Sequence, residues 1–158
     1  MRNYALVVEP GYVDHSTEAG LLSAVGLDLR RLPADLDDRD RDAQLAGARI
    51  LFVRDTRFDG QELGKCRNLL GLVRYGVGVD GIDLSAAREC RIAVANIPDY
   101  GADIEVADHT LALYLAVARR VVARDRAVRN GVWGVGQAEP IRRIAGQTLG
   151  FVGYGRIA

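Results

Sequence analysis

Two glycine-rich stretches of the chain have the residue types and spacing to bind an anionic group. The first is RYGVGVDGID, Arg74–Asp83, in which three glycines follow an apolar run and precede a helix-like segment. Glycines in a strand-to-helix turn allow several backbone amides to face one negatively charged ligand. The same glycines would also serve a tight turn that needs a positive φ. The stretch by itself therefore leaves a binding role and a structural role open.

The second stretch is LGFVGYGRIA, which runs from Leu149 to Ala158. Gly153, Gly155 and Ala158 have the G-x-G-x-x-G/A spacing of a dinucleotide-binding turn. The first glycine allows a sharp turn, the second lets the backbone approach a pyrophosphate, and the small third residue lets a helix pack on the sheet. Such a motif needs a strand before it, and we expect that strand over residues 146–154.

The other candidate residues predict no metal site and no nucleophile. His15 and His109 have no cysteine or histidine partner at the spacing of metal ligands, and Cys66 and Cys90 are too far apart for a CxxC site. We therefore expect no metal. His109 is interpreted as a structural residue or a polar contact at an interface, not as an acid or base.

Composition and charge narrow the class of protein. The 158 residues are 49% hydrophobic and 27% charged, and 21 basic residues balance 21 acidic ones. Nucleic-acid-binding proteins usually have a basic excess, so we expect no nucleic-acid partner. No apolar run approaches the ~18 residues of a membrane span, and no signal region opens the chain. We expect no membrane partner and a cytoplasmic protein with two reduced thiols.

The elements that would position the first glycine stretch alternate along the first hundred residues. Five apolar runs predict strands, at residues 4–9, 27–32, 48–54, 69–76 and 91–98. Helix-like segments lie between them, and Asp83 is a predicted N-cap of one. Near-continuous apolar strands that alternate with helices are typical of a parallel sheet covered on both faces. The predicted fold class is therefore α/β.

A long helical pattern follows, over residues 102–130. Leu111, Leu115 and Val122 lie on one predicted face, and Leu113 and Val117 lie on another. A helix that is apolar on two sides is expected to be buried between two bodies, either domains or subunits. A glycine-rich loop over residues 130–140 then leads to the predicted terminal strand.

As an ordered series, these segments resemble the D-isomer-specific 2-hydroxyacid dehydrogenase family, which includes phosphoglycerate dehydrogenases, formate dehydrogenases and the C-terminal-binding-protein corepressors. The stretch from RYGVGVDGID through the long helix is similar to the family's glycine turn, helix, strand and interdomain helix. RDRAVRNGVW and IAGQTLGFVGYGRIA resemble the segments that lead into its dinucleotide domain. The resemblance is close over residues 69–158 and holds only in pattern over residues 1–68. NIPDYGADIEVADHT resembles the corepressor branch most.

The resemblance implies a fold and an assembly. Residues 1–100 would form a flavodoxin-like parallel-sheet substrate domain that lacks its C-terminal return helix. Residues 101–158 would begin the NAD-binding domain, with the long interdomain helix, a loop and the first strand of a truncated Rossmann domain. The family also implies a homodimer through the helix at residues 102–129.

The resemblance also implies site residues. Substrate-binding positions would be Tyr75, Gly76, Val77, Gly78, Val79 and Asn96. Cofactor-binding positions, for NAD, would be Val77 again and Gly153, Tyr154, Gly155, Arg156 and Ile157. The family's catalytic arginine, glutamate and histidine lie beyond its first glycine motif, so no catalytic residue maps onto this chain.

The implied activity is that of an NAD-dependent oxidoreductase that transfers a hydride between nicotinamide and a 2-hydroxy or 2-keto acid. This chain would be its N-terminal portion, and by itself we expect it to be inactive and to bind NAD weakly or not at all. The alternative is a non-catalytic, corepressor-like dimerising interaction module on the same scaffold.

Overall fold

A computed structural model of the chain describes residues 3–9, 12–134 and 141–158. The contacts within the chain divide it into two units, Met1–Asp99 and Tyr100–Ala158. Residues 135–140, which make up most of the predicted glycine-rich loop, lie outside the described residues.

The first unit is built on a five-stranded parallel sheet. Its strands are β1 (Tyr4–Val7), β2 (Asp28–Arg31), β3 (Ile50–Val53), β4 (Gly71–Arg74) and β5 (Ala93–Asn96). They lie in the order β2-β1-β3-β4-β5, and every neighbouring pair is parallel. This is the flavodoxin-like order, which confirms the predicted fold class and all five predicted strands within a few residues.

Four helices connect these strands: α1 (Ser16–Ser23), α2 (Asp38–Gly47), α3 (Gly60–Lys65) and α4 (Leu84–Glu89). Aspartate side chains cap three of them. The predicted cap Asp83 is confirmed, since its carboxylate accepts a hydrogen bond from the amide of Ala86 at 2.9 Å. Such a cap satisfies one of the amides that the first turn leaves without a partner, and it fixes where α4 begins after the glycine turn.

The core lies on both faces of this sheet. On one face, Leu6, Leu51 and Leu72 from the strands pack with Leu45 and Phe58, and all five are almost fully buried. A smaller cluster on the α1 face contains Ala5, Val7, Leu22 and Phe52. Burial of one large apolar side chain contributes about 1.5–3 kcal/mol, so the three interior strands β1, β3 and β4 contribute most to the stability of the sheet. The edge strands β2 and β5 are mostly exposed.

The second unit contains two helices, α5 (Ala102–Ala118) and α6 (Val121–Arg129). The prediction of one continuous helix over residues 102–130 is therefore wrong. The break falls at Arg120, which adopts a left-handed conformation with φ 55°. Two β-branched residues, Val121 and Val122, follow it, and β-branched residues form helices less readily than unbranched ones.

The apolar faces of these two helices find no cover within the described residues. Neither helix has a buried residue, and Leu113 and Val117 are 54% and 76% exposed. The sequence predicts that both apolar faces are buried, but the described part of this chain does not bury them.

The strand predicted over residues 146–154 does not form, because no described residue from 141 to 158 belongs to a strand. A strand needs a neighbour to pair with its backbone N–H and C=O groups, and the second unit contains no other described strand. Among the described residues, no helix has the length and apolar character to cross a bilayer.

Candidate functional site

The first glycine stretch forms a turn at the carboxyl end of β4. Ligands of open α/β sheets bind at this edge of the sheet. Gly76 begins the turn with φ 143°, a conformation that favours glycine. A Cβ atom at this position would also overlap the guanidinium group of Arg74. The backbone angle is therefore what favours glycine at position 76, and a larger residue would in addition have to displace the flexible end of Arg74.

The turn contains three backbone amides without a hydrogen-bond partner in the described part of the chain. The carbonyl of Gly76 accepts a hydrogen bond from the amide of Ile97 at 3.1 Å, and the carbonyl of Val77 accepts one from the side-chain amide of Asn96 at 2.7 Å. The amides of Val77, Gly78 and Val79 donate no hydrogen bond within the described part of the chain. Val77 and Gly78 are exposed. Successive free amides of this kind form a concave site for an anion such as a carboxylate.

Asn96 and the turn, predicted separately from the sequence, are brought together by the sheet. Asn96 is the last residue of β5, which pairs with β4 so that Asn96 lies beside Arg74 in the register. Its side chain holds the carbonyl of Val77. Asn96 thus fixes the turn, and its contact with a substrate stays a prediction.

The side chain of Tyr75 leaves the turn on the α1 side of the sheet. Its hydroxyl donates a hydrogen bond to the carboxylate of Glu18 at 2.7 Å, and its ring packs in parallel with that of Phe52 at a centroid distance of 5.7 Å. Burial and the adjacent Glu18 raise the pKa of the Tyr75 hydroxyl, so it remains a donor. A direct contact of this side chain with a substrate stays a prediction.

A cavity of about 260 Å³ lies beside the turn. Gly78 and Val79 line it together with three arginines, Arg54, Arg57 and Arg74. Two aspartates, Asp55 and Asp80, line it as well. Three cationic groups against two anionic ones leave the cavity with a positive excess, which favours an anionic ligand.

Two of the three arginines of this cavity, Arg54 and Arg74, are held by ion pairs with Asp55. Asp55 accepts a hydrogen bond from Nε of Arg54 at 2.7 Å, and its other oxygen lies 3.8 Å from Nη2 of Arg74. Sequence reasoning missed Arg54 and Arg57. They follow the apolar strand β3 directly, and the carboxyl ends of parallel strands meet at one edge of the sheet. Their position just after a predicted strand is the sequence feature that could have identified them.

Glu9 is a second residue that sequence reasoning missed. It follows β1, and its carboxylate accepts hydrogen bonds from the amides of Arg54 at 2.9 Å and Asp55 at 2.6 Å and from the hydroxyl of Thr56. Burial tends to raise the pKa of Glu9, but these hydrogen bonds outweigh burial and lower it. Glu9 therefore fixes the loop that carries the arginines, at the β1–β3 junction where the strand order reverses.

The predicted cofactor turn belongs to the second unit. Gly153 has φ 92°, and a Cβ built on Gly153 or Gly155 would meet no atom within 4 Å. Nε of Arg156 donates a hydrogen bond to Asp103 at 2.9 Å. No strand precedes the turn and no helix follows it among the described residues. A dinucleotide is held by a strand, a turn and a helix N-terminus together, and the role of this turn in cofactor binding stays a prediction.

Comparisons with known proteins agree on one protein family. A family model described as the catalytic domain of D-isomer specific 2-hydroxyacid dehydrogenases matches residues 12–152. The D-3-phosphoglycerate dehydrogenase of Archaeoglobus fulgidus is 39% identical to the chain over 108 residues, which are 68% of this chain and 20% of that protein.

Two solved structures resemble the fold. The TT0316 protein from Thermus thermophilus has a TM-score of 0.77 and 32% identity, covering 98% of this chain and 50% of that one. The D-lactate dehydrogenase from Aquifex aeolicus, solved with NAD and lactic acid, has a TM-score of 0.78 at 24% identity, covering 98% of this chain and 45% of that one. The chain thus spans a fifth of the curated relative and about half of each of these structures.

Proposed function

Because the chain belongs to the D-isomer-specific 2-hydroxyacid dehydrogenase family, we propose that it forms the N-terminal portion of an NAD-dependent oxidoreductase that acts on the CH–OH group of 2-hydroxy acids. In that reaction the cofactor supplies the hydride chemistry. The residues of this chain bind and orient the 2-hydroxy or 2-keto acid.

The three free amides of Val77, Gly78 and Val79 carry this proposal. They project from the carboxyl edge of the sheet beside the arginine-lined cavity, and a substrate carboxylate needs several such donors at once. The family resemblance assigns substrate contact to the same turn. The amides are fixed in place by Asn96 and Ile97, which hold the carbonyls of the turn. Donors that are already oriented lose little freedom when the acid binds.

We propose that the chain by itself has no dehydrogenase activity and binds NAD weakly. The turn at residues 153–157 has neither the strand nor the helix that a dinucleotide requires. A cytoplasmic location belongs to the same proposal and is supported by the two free thiols, Cys66 and Cys90.

We propose in addition that two copies associate through the segment at residues 102–129. The exposed apolar side chains of α5 and α6 support this, among them Leu111, Leu113, Leu115 and Val117. Each large side chain that leaves water contributes about 1.5–3 kcal/mol. The same observation favours the second candidate function, a non-catalytic dimerising interaction module.

The test of the proposed function is a titration of the isotopically labelled chain with D-glycerate, followed by amide chemical shifts. Shifts concentrated at Gly76–Val79 are expected, with a dissociation constant in the millimolar range, on the order of −4 kcal/mol. Glycerol, in which a CH2OH group replaces the carboxylate, is the matched control and should leave the turn unchanged. A silent turn in a chain that still dimerises would favour the interaction module instead.

A further inference from the structure

We propose that Tyr75 and Glu18 are a positioning pair, whose hydrogen bond anchors the glycine turn to α1 and holds its free amides in place for the substrate carboxylate. This rests on the proposed function for the identity of the ligand. Neither side chain lines the arginine-bearing cavity beside the turn.

The contact joins two parts of the chain that are far apart in sequence. Glu18 lies in the first turn of α1, and Tyr75 lies between the end of β4 and Gly76. Their oxygens are 2.7 Å apart across 57 residues. Of the hydrogen bonds made by residues 75–79 in the described part of the chain, this one reaches α1.

Aromatic packing keeps the Tyr75 ring in one position. The ring packs in parallel against Phe52 on one side and against the imidazole of His15 at a centroid distance of 6.2 Å. The ring of Tyr12 meets it edge-on at 5.2 Å. A ring held by three neighbours has little rotational freedom, so its hydroxyl can direct the backbone that follows.

His15 completes the cluster. It is 5% exposed, and neither ring nitrogen has a hydrogen-bond partner in the described part of the chain. Its Nδ1 lies 3.7 Å from the Glu18 oxygen that accepts the tyrosine hydroxyl. Burial tends to raise the pKa of Glu18, but the hydrogen bond from Tyr75, with further help from the helix backbone and His15, lowers it. The carboxylate therefore stays ionised and remains a strong acceptor.

The remaining contacts fix the other side of the turn. The amide of Tyr75 donates to the carbonyl of Val53 at 2.8 Å, and Asn96 and Ile97 hold the carbonyls of the next two residues. The turn is thus fixed by the backbone of β3, by the side chain of Asn96 and the amide of Ile97 at the end of β5, and by α1 through the Tyr75 hydroxyl. Removal of the Tyr75 hydroxyl breaks only the contact with α1 and leaves the other contacts of the turn in place. A point substitution can therefore test this contact separately.

The experiment compares Tyr75→Phe, Glu18→Gln and the double variant with the unaltered chain. Tyr75→Phe keeps the ring packing and removes the donor. Tyr12→Phe is the matched control, because the hydroxyl of Tyr12 makes no hydrogen bond among the described residues and its ring packs in the same cluster. D-Glycerate is titrated by amide shifts, under conditions in which urea unfolding shows every variant fully folded. Hydrogen exchange of the Ile97 amide, which donates to the carbonyl of Gly76, is measured without ligand.

A positioning role predicts that Tyr75→Phe and Glu18→Gln each weaken glycerate binding about fivefold to tenfold, as loss of a hydrogen bond to a charged group can. The double variant should be no weaker than the worse single one, because both remove the same contact. Exchange of the Ile97 amide, which is hydrogen-bonded to the carbonyl of Gly76, should become faster in these variants and stay unchanged in Tyr12→Phe.

Equal affinity and equal exchange in Tyr75→Phe and Tyr12→Phe would overturn the proposal, even if Tyr75→Phe were less stable. If glycerate produced no shifts at the turn of the unaltered chain, the proposed function would fail, and the exchange rates alone would decide whether the pair holds the turn. Unchanged exchange in that case would reject the pair as well.

Discussion

The guanidinium group of Arg74 occupies the space in which a side chain on Gly76 would begin. Since Gly76 also has φ 143°, Gly76→Ala must both adopt a disfavoured backbone angle and displace Arg74. We expect it to lower the free energy of unfolding by about 1–3 kcal/mol and to shift the amide resonances of residues 76–79. Urea unfolding and an amide spectrum check both effects.

Gly78→Ala is the matched control for this substitution. A Cβ at Gly78 would lie 3.1 Å from a carboxylate oxygen of Asp80, which is the mobile end of an exposed side chain and can move away. The loss of stability should therefore be smaller than for Gly76→Ala. Equal losses at the two positions would show that neither the backbone angle of Gly76 nor the overlap with Arg74 constrains the turn.

The acid limb of the stability curve should depend on Glu9. The pKa of Glu9 is lower in the folded protein than its ordinary value of 4.5, so the unfolded chain binds more protons in acid. Stability from this group is present above about pH 4.5 and is lost as the pH falls through the folded pKa. Glu9→Gln should lower the free energy of unfolding by about 1–2 kcal/mol at pH 7. It should also make that free energy fall less steeply as the pH drops below 4.5.

Urea unfolding at a series of pH values measures this decline. In Glu9→Gln the unfolding free energy should still fall with decreasing pH, but less steeply, because hydrogen bonds also lower the pKa of Glu18 and Glu62. Glu89→Gln is the control, since Glu89 is exposed and accepts no side-chain hydrogen bond in the described part of the chain. An acid limb as steep in Glu9→Gln as in the unaltered chain would contradict the assignment.

Cofactor binding gives a third prediction. We expect calorimetric titration of the chain with NADH to show no binding in the low micromolar range, because no strand or helix flanks the turn at residues 153–157 among the described residues. The titration is done beside D-glycerate on the same sample, so that a folded and competent turn at Gly76–Val79 is established. A low micromolar dissociation constant for NADH would mean that the cofactor binds in some other way.

Self-association gives a fourth prediction. Light scattering across a dilution series should show a dimer or larger species, and Leu113→Glu combined with Val117→Glu should weaken it, because two exposed apolar side chains of α5 become charged. Arg124→Glu on the exposed face of α6 changes the net charge by the same amount and leaves the apolar surface intact. A monomer at high concentration, or equal weakening by Arg124→Glu, would exclude an interface formed by these side chains.

The α/β class, the five parallel strands and the Asp83 cap could be predicted from the sequence. Their determinants are local: apolar runs of strand length, a carboxylate three residues before an amide, and glycines at the turns. The glycine turn was predicted for the same reason, since its residue types are confined to ten consecutive positions.

Contacts between distant segments could not be predicted in this way. The strand order places Arg54 and Arg57 beside the glycine turn, and it lets Glu9 fix their loop. It also brings Glu18 to Tyr75 and so carries that side chain away from the turn. None of these pairs has a spacing in the sequence that marks it, because a parallel sheet joins residues through its register and not through their separation along the chain.

The sequence by itself therefore determined the strands of the first unit and the anion-binding potential of the turn, since backbone conformation and apolar periodicity depend on neighbouring residues. The tertiary structure alone decided which amides of that turn are free and which side chains hold it. It also decided that the apolar run at residues 146–154 does not form a strand, because a strand exists only where a partner satisfies its backbone hydrogen bonds.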